Sequence, residues 1–143
     1  MTNWVAHDHS VSTVSFSPSG NTLATAPTNG PVRIWDLASQ RAIQCDRHDC
    51  EFFSLAFSPD GRRLAGCGPN KDVWLWDTAK GQERLRLSGH NGVVGAVAFS
   101  PDGALLATSS YDGQVPGGYL LADTRLEFWH VHRRIAQMSM RMP

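Results

Sequence analysis

Three near-copies of one five-letter turn set the frame for this chain. FSPSG begins at Phe16, FSPDG at Phe57 and FSPDG again at Phe99, spaced 41 and then 42 residues apart. Two further markers keep the same beat. Trp35-Asp36 and Trp76-Asp77 are 41 residues apart, and His7, His48 and His90 each stand nine residues before their Phe. A period of this length means that one supersecondary unit recurs, and that its faces are buried by stacking on its neighbours.

Each unit reads as short strands separated by turns. Residues 11–16, 52–57 and 94–99 are mixtures of apolar, β-branched and small residues, as a strand covered on both faces should be. Pro-x-Gly then makes a tight turn, because Pro presets φ and Gly accepts positive φ. A second strand is expected at Leu23-Ala24-Thr25, Leu64-Ala65-Gly66 and Leu106-Ala107-Thr108. A third is expected at 32–35 and 73–76, and a weaker fourth at 42–45 and 83–87. Helical periodicity is not sustained anywhere. The chain is expected to be all-β.

Gly89-His90, FSPDG, Leu-Ala-Thr and the Trp-Asp ending together resemble the WD-repeat proteins, from about Trp4 to Gly113. The FSPDG wording resembles the repeats of large bacterial members of that family. The resemblance implies four-stranded antiparallel blades of a β-propeller. Here they form an incomplete, open array of about three to four. Repeat 1 covers about 7–45 and repeat 2 about 48–87.

At residues 115–118 the pattern breaks. Pro116-Gly117-Gly118 arrives where a third strand is due. On one reading, Leu126 to Trp129 is the delayed third strand of the third unit, displaced by about 11 inserted residues. The other reading matches more letters, because Pro116, Gly118, Leu121 and Ala122 repeat the Pro-x-Gly-x-x-Leu-Ala pattern of the earlier units. It makes repeat 3 a truncated unit at 90–115 and residues 116–140 a degenerate fourth. It is the preferred reading of the two.

The resemblance also implies a hydrogen-bonded network of His, hydroxyl, Asp and Trp within each blade. By position it draws on His7 and Trp35, on His48 and Trp76, and on His90, Ser110 and Asp112, with Trp129 as the displaced Trp. The first two units place Pro27 and Gly68 where the hydroxyl is expected, and Asn29 and Asn70 where Asp is. Trp74 is expected to pack against a neighbouring blade, and Cys67 to be a small buried residue.

Other chemistry is weaker. HDH at 7–9 and HDC at 48–50 contain Zn-binding residue types, but the repeat already accounts for both leading histidines. Ser110, His90 and Asp112 spell a triad on paper, without a nucleophile elbow. Neither catalysis nor a metal or other cofactor is expected. Lys plus Arg and Asp plus Glu number 13 each, leaving no basic field for nucleic acid. No apolar run approaches the ~20 residues of a membrane helix. Three cysteines make no even framework, so a reducing cytoplasm is expected.

The expected function is protein binding. The candidate contacts lie before the first and third strands: Asp8, His9, Asn29, Asp49, Cys50, Asn70, Asn91 and Tyr111. The alternatives are a piece of a longer scaffold without binding of its own, or a metal-binding or enzymatic role. Residues 2–6 align with the outermost strand of a blade, which suggests self-association to complete a ring.

Overall fold

The computed structural model describes residues 5–46, 50–111, 124–130 and 138–141. Strands β1 (Val11–Phe16), β2 (Thr22–Pro27), β3 (Arg33–Asp36) and β4 (Arg41–Gln44) form one antiparallel sheet in that order. Strands β5 (Ser54–Phe57), β6 (Arg63–Cys67), β7 (Asp72–Asp77) and β8 (Glu83–Ser88) repeat the arrangement. The third sheet has β9 (Val93–Phe99), β10 (Leu105–Tyr111), β11 (Thr124–His130) and β12 (Met138–Arg141). No helix occurs among the described residues.

The FSP turn works through its serine. Ser17, Ser58 and Ser100 each accept a backbone N–H from the start of the next strand, at 3.1, 3.0 and 2.9 Å. Their carbonyls accept the N–H of Gly20, Gly61 and Gly103 at 2.8 to 2.9 Å. Those glycines have φ of 73°, 69° and 69°, a region closed to most side chains. The Asp of Trp-Asp acts in the same way one turn later. Asp36 accepts from Ser39 N–H at 2.7 Å, and Asp77 from Ala79 N–H at 2.9 Å. Each holds the turn into the fourth strand.

Register shows how the strand after the break pairs. Phe16 pairs with Leu23 and Leu23 with Trp35, and Phe57, Leu64 and Trp76 form the same row. In the third sheet the row is Phe99, Leu106 and Trp129. Trp129 therefore stands at the third-strand Trp position of the third sheet. The physical reason is the open edge of β10. Its seven residues carry backbone groups that need partners, and β11 supplies them. The Pro116 match lies in a segment outside the described residues.

The sheets stack face to face. Ala24, Ala26, Val32, Ile34 and Cys45 of the first sheet meet Phe52, Leu55, Phe57, Leu64, Trp74 and Trp76 of the second unit. Ala65, Cys67, Val73 and Leu75 on the other side of the second sheet meet Val94, Val97 and Leu106 of the third. Trp74 and Cys67 are both buried in these layers. The first strands, expected to be covered on both faces, are not all so. Phe57 is 9% exposed, but Phe16 is 63% exposed and Phe99 half-buried. The sequence places all three on equivalent strands, yet no described sheet lies against the Phe16 side of the first one.

Candidate functional site

The network at the first sheet is assembled on Thr25. Its hydroxyl oxygen accepts the Trp35 indole N–H at 2.9 Å and lies 2.7 Å from Nε2 of His7. In the third sheet Nε2 of His90 is 2.6 Å from the Thr108 hydroxyl. The hydroxyl is thus the Thr of Leu-Ala-Thr, two residues before the expected position. Ser110 is buried on the same strand. The first unit does own a hydroxyl, contrary to expectation.

The second sheet differs because Gly66 replaces that Thr. A Cβ at Gly66 would stand 2.8 and 2.9 Å from Trp76 ring atoms and 3.0 Å from Phe52. Phe52 meets the rings of Trp74 and Trp76 edge-on, with centroids 5.5 and 5.4 Å away. Aromatic packing fills the place of the hydroxyl. His48, Asp49 and Asp112 lie outside the described residues, and for Trp129 the strand register is the finding.

Burial holds His7 below the ordinary histidine pKa of 6.5, and the nearby Arg33 charge adds to this while Asp8 opposes it. A neutral His7 can accept the Thr25 hydroxyl proton while that oxygen serves Trp35. As pH falls through about 6.5, the unfolded chain takes up a proton before the folded one does. Stability linked to His7 is therefore complete above that pH and is lost below it. The drop in Tm between pH 7.5 and pH 5.5 is expected to be smaller in His7→Gln than in the parent. Thermal melts at the two pH values check this.

Burial also pushes the thiols of Cys45 and Cys67 up to about 12. The reactive thiolate is then about one part in ten thousand at pH 8. Under native alkylation at pH 8, label is expected on the half-buried Cys50 first, and on the other two only on unfolding. Peptide mass spectrometry reads the order. These are structural thiols, and among the described residues no group of three or more His, Cys, Asp or Glu is placed to hold a metal ion.

The candidate contacts gather at the end of the stack where first strands begin and second strands finish. Asp8, His9, Asn29, Asn70, Asn91 and Tyr111 are exposed there, whereas Cys50 packs partly against the core. Two neighbours escape the sequence reading. Phe53 is 43% exposed at the entry to β5, and the Phe52-Phe53 doublet holds the signal, since strand alternation sends one ring in and the next out. Lys71 is exposed with φ of 63°, one repeat after Gly30 with φ of 122°. A lysine held in that region costs the fold about 1 kcal/mol or more.

Nearby, Arg86 of β8 reaches Asp72 on the adjacent β7, its Nε 2.9 Å from the carboxylate, and its guanidinium sits 5.8 Å from the Trp74 ring centre. The opposite end is different in kind. Its serines and aspartates are committed to their own turns, as with Ser58 and Asp60 at 2.6 Å and Ser100 and Asp102 at 2.5 Å.

The family model described as WD domain, G-beta repeat matches residues 1–36, 40–77 and 81–115. The second stretch runs from the start of the outermost strand β4 of the first sheet to the end of β7 in the second. The fold is similar to the crystal structure of RRP9 WD40 repeats, with TM-score 0.75, 20% identity, and coverage of 89% of this chain and 37% of that one. It is also similar to the structure of U3-55K, with TM-score 0.78, 19% identity, and coverage of 94% and 40%. The chain thus spans about two fifths of the length of these structures. No curated protein matches the sequence. Among the described residues no helix is long and apolar enough to cross a membrane.

Proposed function

Because the chain belongs to the WD domain, G-beta repeat family, we propose that it is a non-catalytic scaffold that binds a protein partner through the loop end of its stacked sheets. The observation that carries this reading is the contrast between the two ends. At one, Phe53 and Tyr111 stand 43% and 59% exposed among Asp8, His9, Asn29, Asn70, Lys71 and Asn91. At the other, the serines and aspartates of the turns are held in hydrogen bonds within those turns.

Exposed aromatics on a rigid sheet are where protein interfaces concentrate their binding energy. Amide and charged side chains around them fit a polar rim. The strained backbone at Lys71 is consistent with a side chain kept for contact rather than for folding.

The test uses the immobilised chain to capture a partner from cell extract, followed by purification of that partner. A double variant, Phe53→Ser with Tyr111→Ser, is expected to bind it about 30-fold or more weakly. Arg62→Ala, exposed at the opposite end, is expected to bind like the parent. Equal binding by all three would remove the loop end from the interaction.

A further inference from the structure

The stack ends in two different faces, and the chain itself shows what each of them docks on. In both internal contacts, the face carrying the Phe-Leu-Trp row of one sheet lies on the small-residue face of the sheet before it. Leu55, Phe57, Leu64 and Trp76 are 7%, 9%, 0% and 0% exposed in that position. Their counterparts one repeat earlier are Val14, Phe16, Leu23 and Trp35. There Val14 is 56% and Phe16 63% exposed.

At the far end the situation is the mirror case. Ala24 and Ala65, on the small-residue faces of the first two sheets, are both 0% exposed. The equivalent Ala107 is half-buried, and its strand neighbours Ala96 and Ala98 are exposed. Phe128 takes the register of Ile34 and Leu75 beside them.

We infer that the small-residue face of the third sheet, around Ala96, Ala98 and Ala107, docks on the Val14–Phe16–Leu23 face of a second copy of this chain. Both partners of the missing contact are present on every copy, in the chemistry that the two internal contacts already use. The pairing is head to tail, so it closes into a ring or grows into a filament according to the rotation per copy. Two copies of three sheets make six, inside the 4–8 blades that close a propeller. A ring of two leaves neither face open, whereas three copies of three sheets would make nine, beyond that range.

Light scattering coupled to size exclusion tests this on the purified chain, with a thermal melt as the check on folding. The expected species has twice the 15.7 kDa chain mass. Phe16→Asp and Ala98→Asp, each at an exposed position, are both expected to give folded monomers. Val14→Lys is the second variant for the Phe16 face. An equal mixture of Phe16→Asp and Ala98→Asp retains one intact pair of faces and is expected to recover a two-copy species with weaker affinity.

A cooperative, folded 15.7 kDa parent monomer would overturn the proposal. So would a dimer that Phe16→Asp breaks and Ala98→Asp does not, since that pattern belongs to a symmetric contact of one face with itself. Long polymers blocked by both variants would overturn closure at two copies.

Discussion

Truncating Trp76 to Ala is expected to destabilise the chain by about 3–5 kcal/mol, while truncating Phe16 costs less than about 1 kcal/mol. Trp76 is fully buried between the first and second units, with Phe52 against its ring. Its loss removes a large apolar surface and leaves a cavity that fixed strands on either side cannot fill. A single domain commonly has only about 5–15 kcal/mol in reserve, so the Trp76 variant should be substantially unfolded in moderate urea. Phe16 occupies the equivalent row of the first sheet but is 63% exposed, so it has little burial to lose. Urea melts of both variants under conditions where the chain is monomeric give the comparison. Similar losses at the two positions would mean that the open face is covered.

A repair suggested by the repeat itself is expected to harm the protein. Thr stands at positions 25 and 108, and Gly at 66, so Gly66→Thr restores the pattern on paper. In the folded chain the place is taken. A Cβ there would already be 2.8 Å from the Trp76 ring and 3.0 Å from Phe52, and both rings are essentially inaccessible to solvent. Neither can retreat without moving a strand. Overpacking of this kind costs about 1–3 kcal/mol. A gain in stability would show instead that the Trp76 ring can swing to the position Trp35 takes, where a hydroxyl receives its N–H.

The periodic markers carry most of the fold. FSP, Leu-Ala and Trp-Asp each have a local physical role, in a turn, a paired strand or a capped turn, so their spacing translates directly into strands and register. What the repeat does not convey is context. Phe16, Phe57 and Phe99 are the same letter on the same strand, but exposure depends on whether a sheet lies beyond, and that is a property of the array.

The hydroxyl is displaced from its expected position for a related reason. Positions 25 and 27 share a face because a strand repeats every two residues, so the face is legible and the depth along it is not. Trp129 is legible as a displaced Trp, but the lengthened link between Tyr111 and Thr124 breaks the count that would assign it to a sheet. Of the contact residues, the polar loop positions are legible from their place before strands. For Phe53 the doublet signals that one ring faces in and one out, and the packing of Phe52 on Trp74 and Trp76 decides which.

The most direct measurement of the binding account is hydrogen–deuterium exchange of the chain with and without its purified partner. The loop end predicts protection across residues 8–11, 28–32, 51–54, 68–72 and 90–93, with the turns at 17–21, 58–62 and 100–104 unchanged. Protection centred on those turns, with the loop segments exchanging as in the free chain, would contradict it.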